Sequence, residues 1–115
     1  MTDAAFAQTP EPPYYAVIFT SRHNGRDLEA YRAAAETMLA MAVQQPGFLG
    51  MESLRAEDGF GVTISYWDSL EAVAEWKAQA DHTRVRERGR RDWYDAFRVR
   101  VARVERVYDW QHENH

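Results

Sequence analysis

The chain has 115 residues, the usual size of one domain, and its apolar fraction of 45% is sufficient for a single core. Its net charge of −4 gives no basic excess, so we expect no nucleic-acid partner. The absence of cysteine excludes disulfides, thiolate metal sites and cysteine nucleophiles, and it suits a reducing cytoplasm. No apolar run is long enough to cross a bilayer and the first residues do not form a secretory signal, so we expect no membrane partner.

Two terminal segments flank the predicted domain. Residues 1–13 contain three prolines near their end, which exclude a helix or a central strand, and they are predicted to form a flexible or extended arm. Residues 111–115 are predicted to be a disordered tail. Residues 14–110 contain no repeat, low-complexity stretch or linker, so they are predicted to form one domain.

The first predicted elements are a strand and a helix. Residues 14–20 are β-branched or aromatic on both alternating faces, which predicts a strand that is buried from two sides. His23-Asn24-Gly25 predicts a turn, Asp27 is the expected helix N-cap, and Pro46-Gly47 ends the helix near Gln45. The apolar stripe of this helix consists of Leu28, Tyr31, Ala35, Met38, Leu39 and Ala42.

A predicted hairpin and a second helix follow. Residues 48–56 and 60–67 read as two strands joined by the turn Glu57-Asp58-Gly59. Asp68 or Ser69 is expected to cap the second helix, and residues 81–90 are expected to add a more polar helical turn or two. The inner stripe of this helix consists of Leu70, Val73, Trp76 and Ala80.

The last predicted strand is long, covering residues 93–108, with Phe97, Val99 and Val101 facing inward. A change in its alternation before Val104 and Val107 predicts a bulge or a change of partner surface there. The order of elements is therefore β-α-β-β-α-β, an α+β fold of the ferredoxin-like kind with an antiparallel sheet and both helices on one face. Since the first strand is apolar on both sides, the other face is expected to pair with a second copy in a homodimer.

Three sequence fragments carry a resemblance to a known family. They are Tyr15-Ala16-Val17-Ile18-Phe19, Gln45-Pro46-Gly47-Phe48-Leu49-Gly50, and Gly61-Val62-Thr63-Ile64-Ser65-Tyr66-Trp67-Asp68-Ser69-Leu70-Glu71-Ala72. Together with Trp76 and His82 they resemble the antibiotic biosynthesis monooxygenase domain of the dimeric α+β barrel superfamily. The resemblance covers residues 14–108 and implies a dimeric α+β barrel. It specifies the fold better than the chemistry, because this superfamily carries many activities.

Members of that superfamily oxidise polycyclic aromatic phenols to quinones without metal or flavin, or degrade haem, in a pocket between each sheet and its own helices. The resemblance implies a pocket here that is lined by Phe19, Tyr66, Trp76, His82, and Trp93 or Tyr94. Both branches use an asparagine, but the only asparagines here are Asn24 and Asn114, in a predicted turn and in the tail. An asparagine-dependent mechanism is therefore not expected.

Each candidate side chain also has a structural interpretation. His82 is the candidate general base for a phenolic substrate. The alternative is a partly exposed histidine at the end of the helix, where it interacts favourably with the negative end of the helix dipole. The aromatic candidates are either substrate-binding residues or core or dimer contacts, with Tyr66 and Tyr94 favoured for binding because a phenol can orient a polar atom. Arg86 belongs to an arginine-rich run that is either an anion site or a solvated helix face. His23 is given no role.

No metal or nucleotide motif is present, so no cofactor and no metal are expected. The first functional hypothesis is a cofactor-independent oxygenase that acts on a small aromatic or polyketide-type molecule, with His82 as catalytic base. The alternatives are a haem-binding or haem-degrading protein and a ligand-binding dimer without catalysis. An oxidoreductase is favoured, but the sequence leaves all three open.

Overall fold

The computed structural model describes residues 5–26, 28–86 and 94–112, with only the backbone described for residues 82–86. The elements are β1 (Tyr14–His23), α1 (Leu28–Val43), β2 (Phe48–Arg55), β3 (Phe60–Trp67), α2 (Leu70–Arg86) and β4 (Tyr94–Val104). This order confirms the predicted β-α-β-β-α-β arrangement. The predicted N-cap Asp27 lies outside the described residues.

The four strands form one antiparallel sheet in the order β2-β3-β1-β4. Side chains alternate between the two faces, so the register assigns every strand residue to one of them. We call the face that carries Val17 and Phe19 the inner face, because the helices pack against it. The outer face carries Ala16 and Ile18 of β1 and Tyr66 of β3.

Three strands end elsewhere than predicted: β1 continues to His23 rather than Thr20, and β2 ends one residue early, at Arg55. β4 ends at Val104 rather than at Tyr108, because Val104 pairs with Tyr14, the first residue of β1, and β1 offers no partner beyond it. The bulge predicted before Val104 is absent from this regular pairing. The register shift lies instead at the other end of β1, between Arg22 and His23.

The core is densest where β3 meets α2. Trp67 is fully buried and stacks on Trp76 at a centroid distance of 5.6 Å, while Phe48 meets the Trp67 ring edge-on at 5.5 Å. The indole Nε1 of Trp67 donates a hydrogen bond to Ser65 Oγ at 2.9 Å, so the buried polar atom is satisfied. Ser69 caps α2 by accepting a hydrogen bond from the amide of Ala72 at 3.1 Å. Of the two predicted caps, Asp68 and Ser69, the structure therefore selects Ser69.

The turn before β2 fits closely against this junction. Gly47 has a φ of +87° and its carbonyl accepts a hydrogen bond from the amide of Asp68 at 2.9 Å. A Cβ on Gly47 would lie 2.5 Å from Asp68 Oδ1, so a larger residue would collide as well as strain the backbone. The Pro-Gly-Phe turn and the Trp-Asp-Ser junction are therefore two sides of one contact.

The helix stripes are confirmed except at their first positions and at Ala35 and Leu39 of α1, which are exposed, Leu39 by 45%. Ala42 of α1 and Val73, Trp76 and Ala80 of α2 are buried. Leu28 and Leu70, which the patterns placed inward, are 44% and 53% exposed. Each is the first residue of its helix.

The N-terminal segment contacts the outer face. The amide of Ala7 donates to Glu52 Oε2 at 3.1 Å, and Thr9 Oγ1 shares a hydrogen bond of 2.8 Å with the Tyr14 hydroxyl. Gly50 makes room for this segment, since a Cβ there would lie 2.8 Å from the Cβ of Ala7. The chain itself thus covers part of the outer face. Of the helices described, none combines the length and apolar character needed to cross a membrane.

Candidate ligand cavity

A cavity of about 370 Å³ lies between the inner face of the sheet and the two helices. This volume falls within the range of small-molecule sites, and most of the lining is apolar. The sheet contributes Val17, Phe19, Met51, Ser53, Thr63, Ser65, Tyr94, Val99 and Val101. The helices contribute Tyr31, Ala34, Ala35, Glu36, Met38 and Leu39 from α1, and Val73, Trp76, Lys77, Ala80 and Asp81 from α2.

The polar groups in the middle of the cavity are satisfied by protein partners. Ser53 Oγ and Thr63 Oγ1, which are paired across β2 and β3, share a hydrogen bond of 2.8 Å. Ser65 Oγ accepts the indole hydrogen of Trp67. The middle of the cavity is therefore an apolar slot with hydroxyls that already have partners, which suits a flat and largely apolar molecule.

One end of the cavity is aromatic. The Phe19 ring stacks on Phe97 at 5.3 Å and meets Tyr94 edge-on at 5.6 Å. Tyr31 of α1 approaches Tyr94 at 5.9 Å with nearly perpendicular rings. Edge-to-face and offset contacts of this kind are favourable, and they hold both phenol rings at the wall of the cavity.

Arg55 lies directly behind this aromatic end. Its guanidinium donates hydrogen bonds to the carbonyl oxygen of Gly59, to Ser21 Oγ at 2.8 Å and to the Tyr31 hydroxyl at 3.0 Å. The group lies against Gly61 of β3, where a Cβ would come within 2.7 Å of Arg55 Cζ. Glycine at that position therefore allows the cation to lie flat on the sheet and reach from β2 to α1.

His23 closes the same end from the last position of β1. It is only 5% exposed, its ring lies 4.3 Å from that of Tyr31, and its Nδ1 accepts a hydrogen bond from the amide of Gly25 at 2.8 Å. Its Nε2 is buried and has no hydrogen-bond partner among the described residues. Burial, and secondarily the charge of Arg55, lower the pKa of His23 below its usual value, while Asp95 opposes this weakly. The imidazole is therefore held neutral.

The charged groups on the α2 side of the cavity pair with each other. Lys77 Nζ lies 2.6 Å from Asp81 Oδ2 in an i,i+4 ion pair whose lysine is largely exposed. Such an exposed pair contributes little to stability. Within the described part of the chain, no group of three or more potential metal-ligating side chains comes together.

The structure brings three of the predicted site residues to the cavity. Phe19, Trp76 and Tyr94 line it. Tyr66 is not brought there: it lies on the outer face, where its hydroxyl donates to Glu52 Oε1 at 2.7 Å. Burial, followed by the hydrogen bond to Glu52, raises the pKa of Tyr66 well above its ordinary value, so this phenol stays protonated.

The other three predicted site residues cannot be placed as side chains. His82 and Arg86 belong to the backbone of α2, but their side chains lie outside the described residues, and Trp93 lies outside them entirely. His82 follows directly after Asp81, which lines the cavity. Its role as catalytic base stays a prediction, as do the binding roles of Arg86 and Trp93.

Sequence reasoning missed Tyr31, Arg55 and His23 as site residues. Tyr31 was assigned only to the helix stripe, and His23 was assigned to a turn, although β1 continues through it to a turn at Gly25. The alternation of Val17, Phe19, Ser21 and His23 on one face was the available signal, but the polar residues at its end masked it.

Comparisons with known proteins agree with this architecture. The family model described as antibiotic biosynthesis monooxygenase matches residues 14–88. The uncharacterized protein YqjZ of Bacillus subtilis is 50% identical over 100 residues, which cover 87% of each chain. The jasmonate monooxygenase ABM of Pyricularia oryzae is 24% identical over 94 residues, covering 78% of this chain and 43% of that one.

Solved structures show the same fold. SnoaB of Streptomyces nogalater, a cofactor-independent oxygenase, superposes with a TM-score of 0.68 at 16% identity, over 84% of this chain and 97% of its own. PA3566 of Pseudomonas aeruginosa superposes with a TM-score of 0.63 at 15% identity, over 86% and 99%. At these identities the likeness concerns the fold alone.

Proposed function

Because this chain belongs to the antibiotic biosynthesis monooxygenase family, we propose that it is a cofactor-independent oxygenase for a small aromatic or polyketide-type molecule. The cavity is the observation that carries the proposal. It offers about 370 Å³ of mostly apolar space between sheet and helices, closed at one end by two tyrosines. A flat phenol fits such a slot, with its body against Trp76 and Phe19 and its oxygen toward the polar end.

The proposed reaction converts a phenol into a quinone. A base removes the phenolic proton, and the electron-rich anion reacts with dioxygen at a ring carbon. One oxygen atom becomes the new carbonyl oxygen and the other leaves as water, while the carbon loses its hydrogen. The substrate supplies all four electrons that reduce dioxygen, so the overall reaction balances without an external reductant.

His82 is the proposed base. Histidine is the side chain whose ordinary pKa lies near neutral pH, so a histidine base can accept a phenolic proton and return it to solvent. It stands in α2 six residues after Trp76, within the helix that forms one wall of the cavity. His23 is a less suitable base, because its lowered pKa leaves it a weak proton acceptor.

Two relatives support an oxidative role. SnoaB is a cofactor-independent oxygenase with the same fold, and the Pyricularia oryzae relative is a jasmonate monooxygenase. The substrates of these two proteins are not transferred to this chain, and the relative with 50% identity is uncharacterized, so it gives no information about activity. The support is therefore for oxygenation as a reaction type, and the substrate class rests on the shape and lining of the cavity.

Haem binding, the second function that the resemblance suggested, has weaker support. Haem iron is commonly held by histidine or cysteine. The described lining contains neither, although two tyrosines are present. The middle of the cavity also presents no charged group that would hold a propionate, apart from the Lys77–Asp81 pair, whose charges are already engaged.

We also propose that the protein is a homodimer and that it works in the cytoplasm. The outer face retains Ile18, Val62 and Ile64 only partly buried, and Leu54 and Phe60 are 79% and 43% exposed. Pairing with a second copy would remove this apolar surface from water. Sedimentation at micromolar concentration tests this, and a persistent monomer would contradict it. The cytoplasmic location rests on the cysteine-free composition.

Oxygen uptake tests the oxygenase proposal. The purified protein is expected to consume dioxygen with hydroxyanthraquinone-type phenols and to form quinones. His82→Ala is expected to reduce the rate by about 10²-fold, the typical contribution of a positioned base. His112→Ala, outside the cavity, serves as the matched control and should retain full activity. Saturable binding of the phenols without oxygen uptake would refute catalysis and identify a ligand-binding protein.

A further inference from the structure

The aromatic end of the cavity has the features of a binding site in its own right. We propose that Tyr31, positioned by Arg55, forms a subsite for an ionised oxygen of the ligand. The cavity would then select flat apolar molecules that carry an acidic oxygen at one end. This inference rests on the proposed function only in requiring that the same cavity binds a ligand.

The first argument is the charge of Arg55. The guanidinium is partly buried, and its hydrogen bonds go to the neutral oxygens of Gly59, Ser21 and Tyr31. Among the described residues it has no carboxylate within ion-pair distance. Partly buried charges in proteins are normally compensated by an opposite charge. A ligand anion at Tyr31 would supply the missing counter-charge.

The second argument is that the position of this cation depends on a glycine. Gly61 leaves the space in which the guanidinium lies, because a Cβ there would lie 2.7 Å from its Cζ and 2.9 and 3.0 Å from its two terminal nitrogens. The hydrogen bonds to Ser21 and Tyr31 then fix the orientation of the group. A charge held in this way favours an anion without having to reorganise when the ligand binds.

The third argument is the orphaned nitrogen of His23. Since Nδ1 accepts the hydrogen bond from Gly25, the neutral ring carries its hydrogen on Nε2. That buried donor has no partner in the described structure, and a buried polar atom without a partner is unusual. The imidazole contacts Tyr31 and lies 6.2 Å from the ring of Tyr94. Arg55 and His23, which lie behind this end of the cavity, are thus both hydrogen-bond donors. Such donors favour a ligand atom that accepts several hydrogen bonds.

These features define the chemistry of the ligand group. A carboxylate and a phenolate or enolate share an ionised oxygen that accepts several hydrogen bonds, and hydrogen bonds to charged groups are worth about 1.5–3 kcal/mol. Neutral amides and unionised hydroxyls lack the charge that Arg55 would compensate. The subsite therefore discriminates by ionisation rather than by shape, whereas the apolar slot discriminates by shape.

Matched probes test this discrimination by calorimetric titration. The first pair is 2-naphthoate and 2-naphthamide, which have nearly the same shape and differ in charge. The second pair is 4-nitro-1-naphthol, which ionises readily, and its methyl ether, which keeps the nitro group and cannot ionise. We expect the ionised member of a pair to bind at least about tenfold more tightly. Tighter binding of the ionised member in the first pair alone would identify a carboxylate site. Tighter binding of the ionised member in the second pair alone would identify a phenolate site.

Two variants locate the preference. Arg55→Met and Tyr31→Phe are expected to lose most of the tenfold preference, which is measured in each variant as the ratio of the affinities for 2-naphthoate and 2-naphthamide. Arg22→Met is the matched control, because it removes an arginine from the same end of the sheet, where the side chain is exposed and paired with Asp58 at 3.2 Å. It should retain the full preference. Circular dichroism checks that each variant folds. If Arg55→Met does not fold, the result for Tyr31→Phe alone decides whether the preference depends on this subsite.

The outcomes separate this inference from the proposed function. Equal binding of both members in both pairs would overturn the subsite and leave a ligand-binding cavity. The absence of binding for all four probes would overturn both. A preference that survives in Tyr31→Phe and Arg55→Met would show that the charge is sensed elsewhere, and it would also overturn the subsite.

Discussion

Replacement of Trp67 by phenylalanine tests the packing that shapes the cavity. Trp67 is fully buried and stacks on Trp76, which forms one wall of the cavity. Its indole nitrogen donates to Ser65 Oγ, and the Phe48 ring packs against it nearly at right angles. Phenylalanine keeps an aromatic ring at this position but removes the second ring of the indole and the hydrogen-bond donor.

The expected loss of stability has two parts. Removing the second ring deletes about three buried carbon equivalents, or about 2 kcal/mol at roughly 0.8 kcal/mol for each. The lost hydrogen bond leaves the hydroxyl of Ser65 without its buried donor and adds about 1 kcal/mol. We therefore expect Trp67→Phe to reduce the free energy of unfolding by about 3 kcal/mol, and the melting temperature by at least about 10 °C.

Urea unfolding followed by circular dichroism measures this change, and Trp110→Phe is the matched control. Trp110 is 78% exposed, so the same replacement there should leave the free energy of unfolding within about 0.5 kcal/mol of the original. If Trp67→Phe also stayed within that limit, the stacked pair would not be the centre of the core. The shape of the cavity wall would then need another explanation.

Two further predictions concern the cavity and its polar end. Val101→Phe, which inserts a ring into the cavity, should weaken binding of 2-naphthoate by about tenfold or more in calorimetry, whereas Val107→Phe outside the lining should not. Because the pKa of His23 is lowered in the folded protein, the unfolded chain binds the proton first as the pH falls below about 6.5. The contribution of the neutral His23 to stability is therefore fully present above that pH. It is lost as the pH falls toward the lower pKa that His23 has in the folded protein. Chemical denaturation at pH 7.5 and 5 should show a smaller loss for His23→Gln than for the original chain, and equal losses would contradict the assignment.

Most of the fold could be predicted from the sequence because its signals are local. The turn glycines Gly47 and Gly59 adopt positive φ values of 87° and 94°. Gly47 separates the apolar period of a helix from that of a strand, and Gly59 separates the two strands of a hairpin. The bounds were less accurate where an element depends on a distant partner. β4 stops where β1 begins, and the sequence of β4 alone contains no sign of this.

The site was only partly predictable, because it depends on which residues face one another. Tyr66 and Trp67 are adjacent aromatics, and a single step along β3 sends one to the outer face and the other to the core. Apolar lining such as Phe19 and Trp76 follows from the stripes. By contrast, Arg55 of β2 and Tyr31 of α1 meet only through the folded sheet.

The division between predicted and unpredicted residues corresponds to a division of roles in the cavity. The apolar residues at regular spacing form a slot that any flat hydrophobic molecule could enter, and related folds can share such a slot while their reactions differ. Discrimination needs charge or hydrogen bonding at a defined point, and here that point combines Arg55, Tyr31 and His23 from three separate elements. A relative that keeps the stripes but replaces Arg55 or Gly61 should therefore retain the fold and bind a different class of ligand. Ligand chemistry in this fold is then better inferred from the polar end of the cavity than from the aromatic residues of its walls.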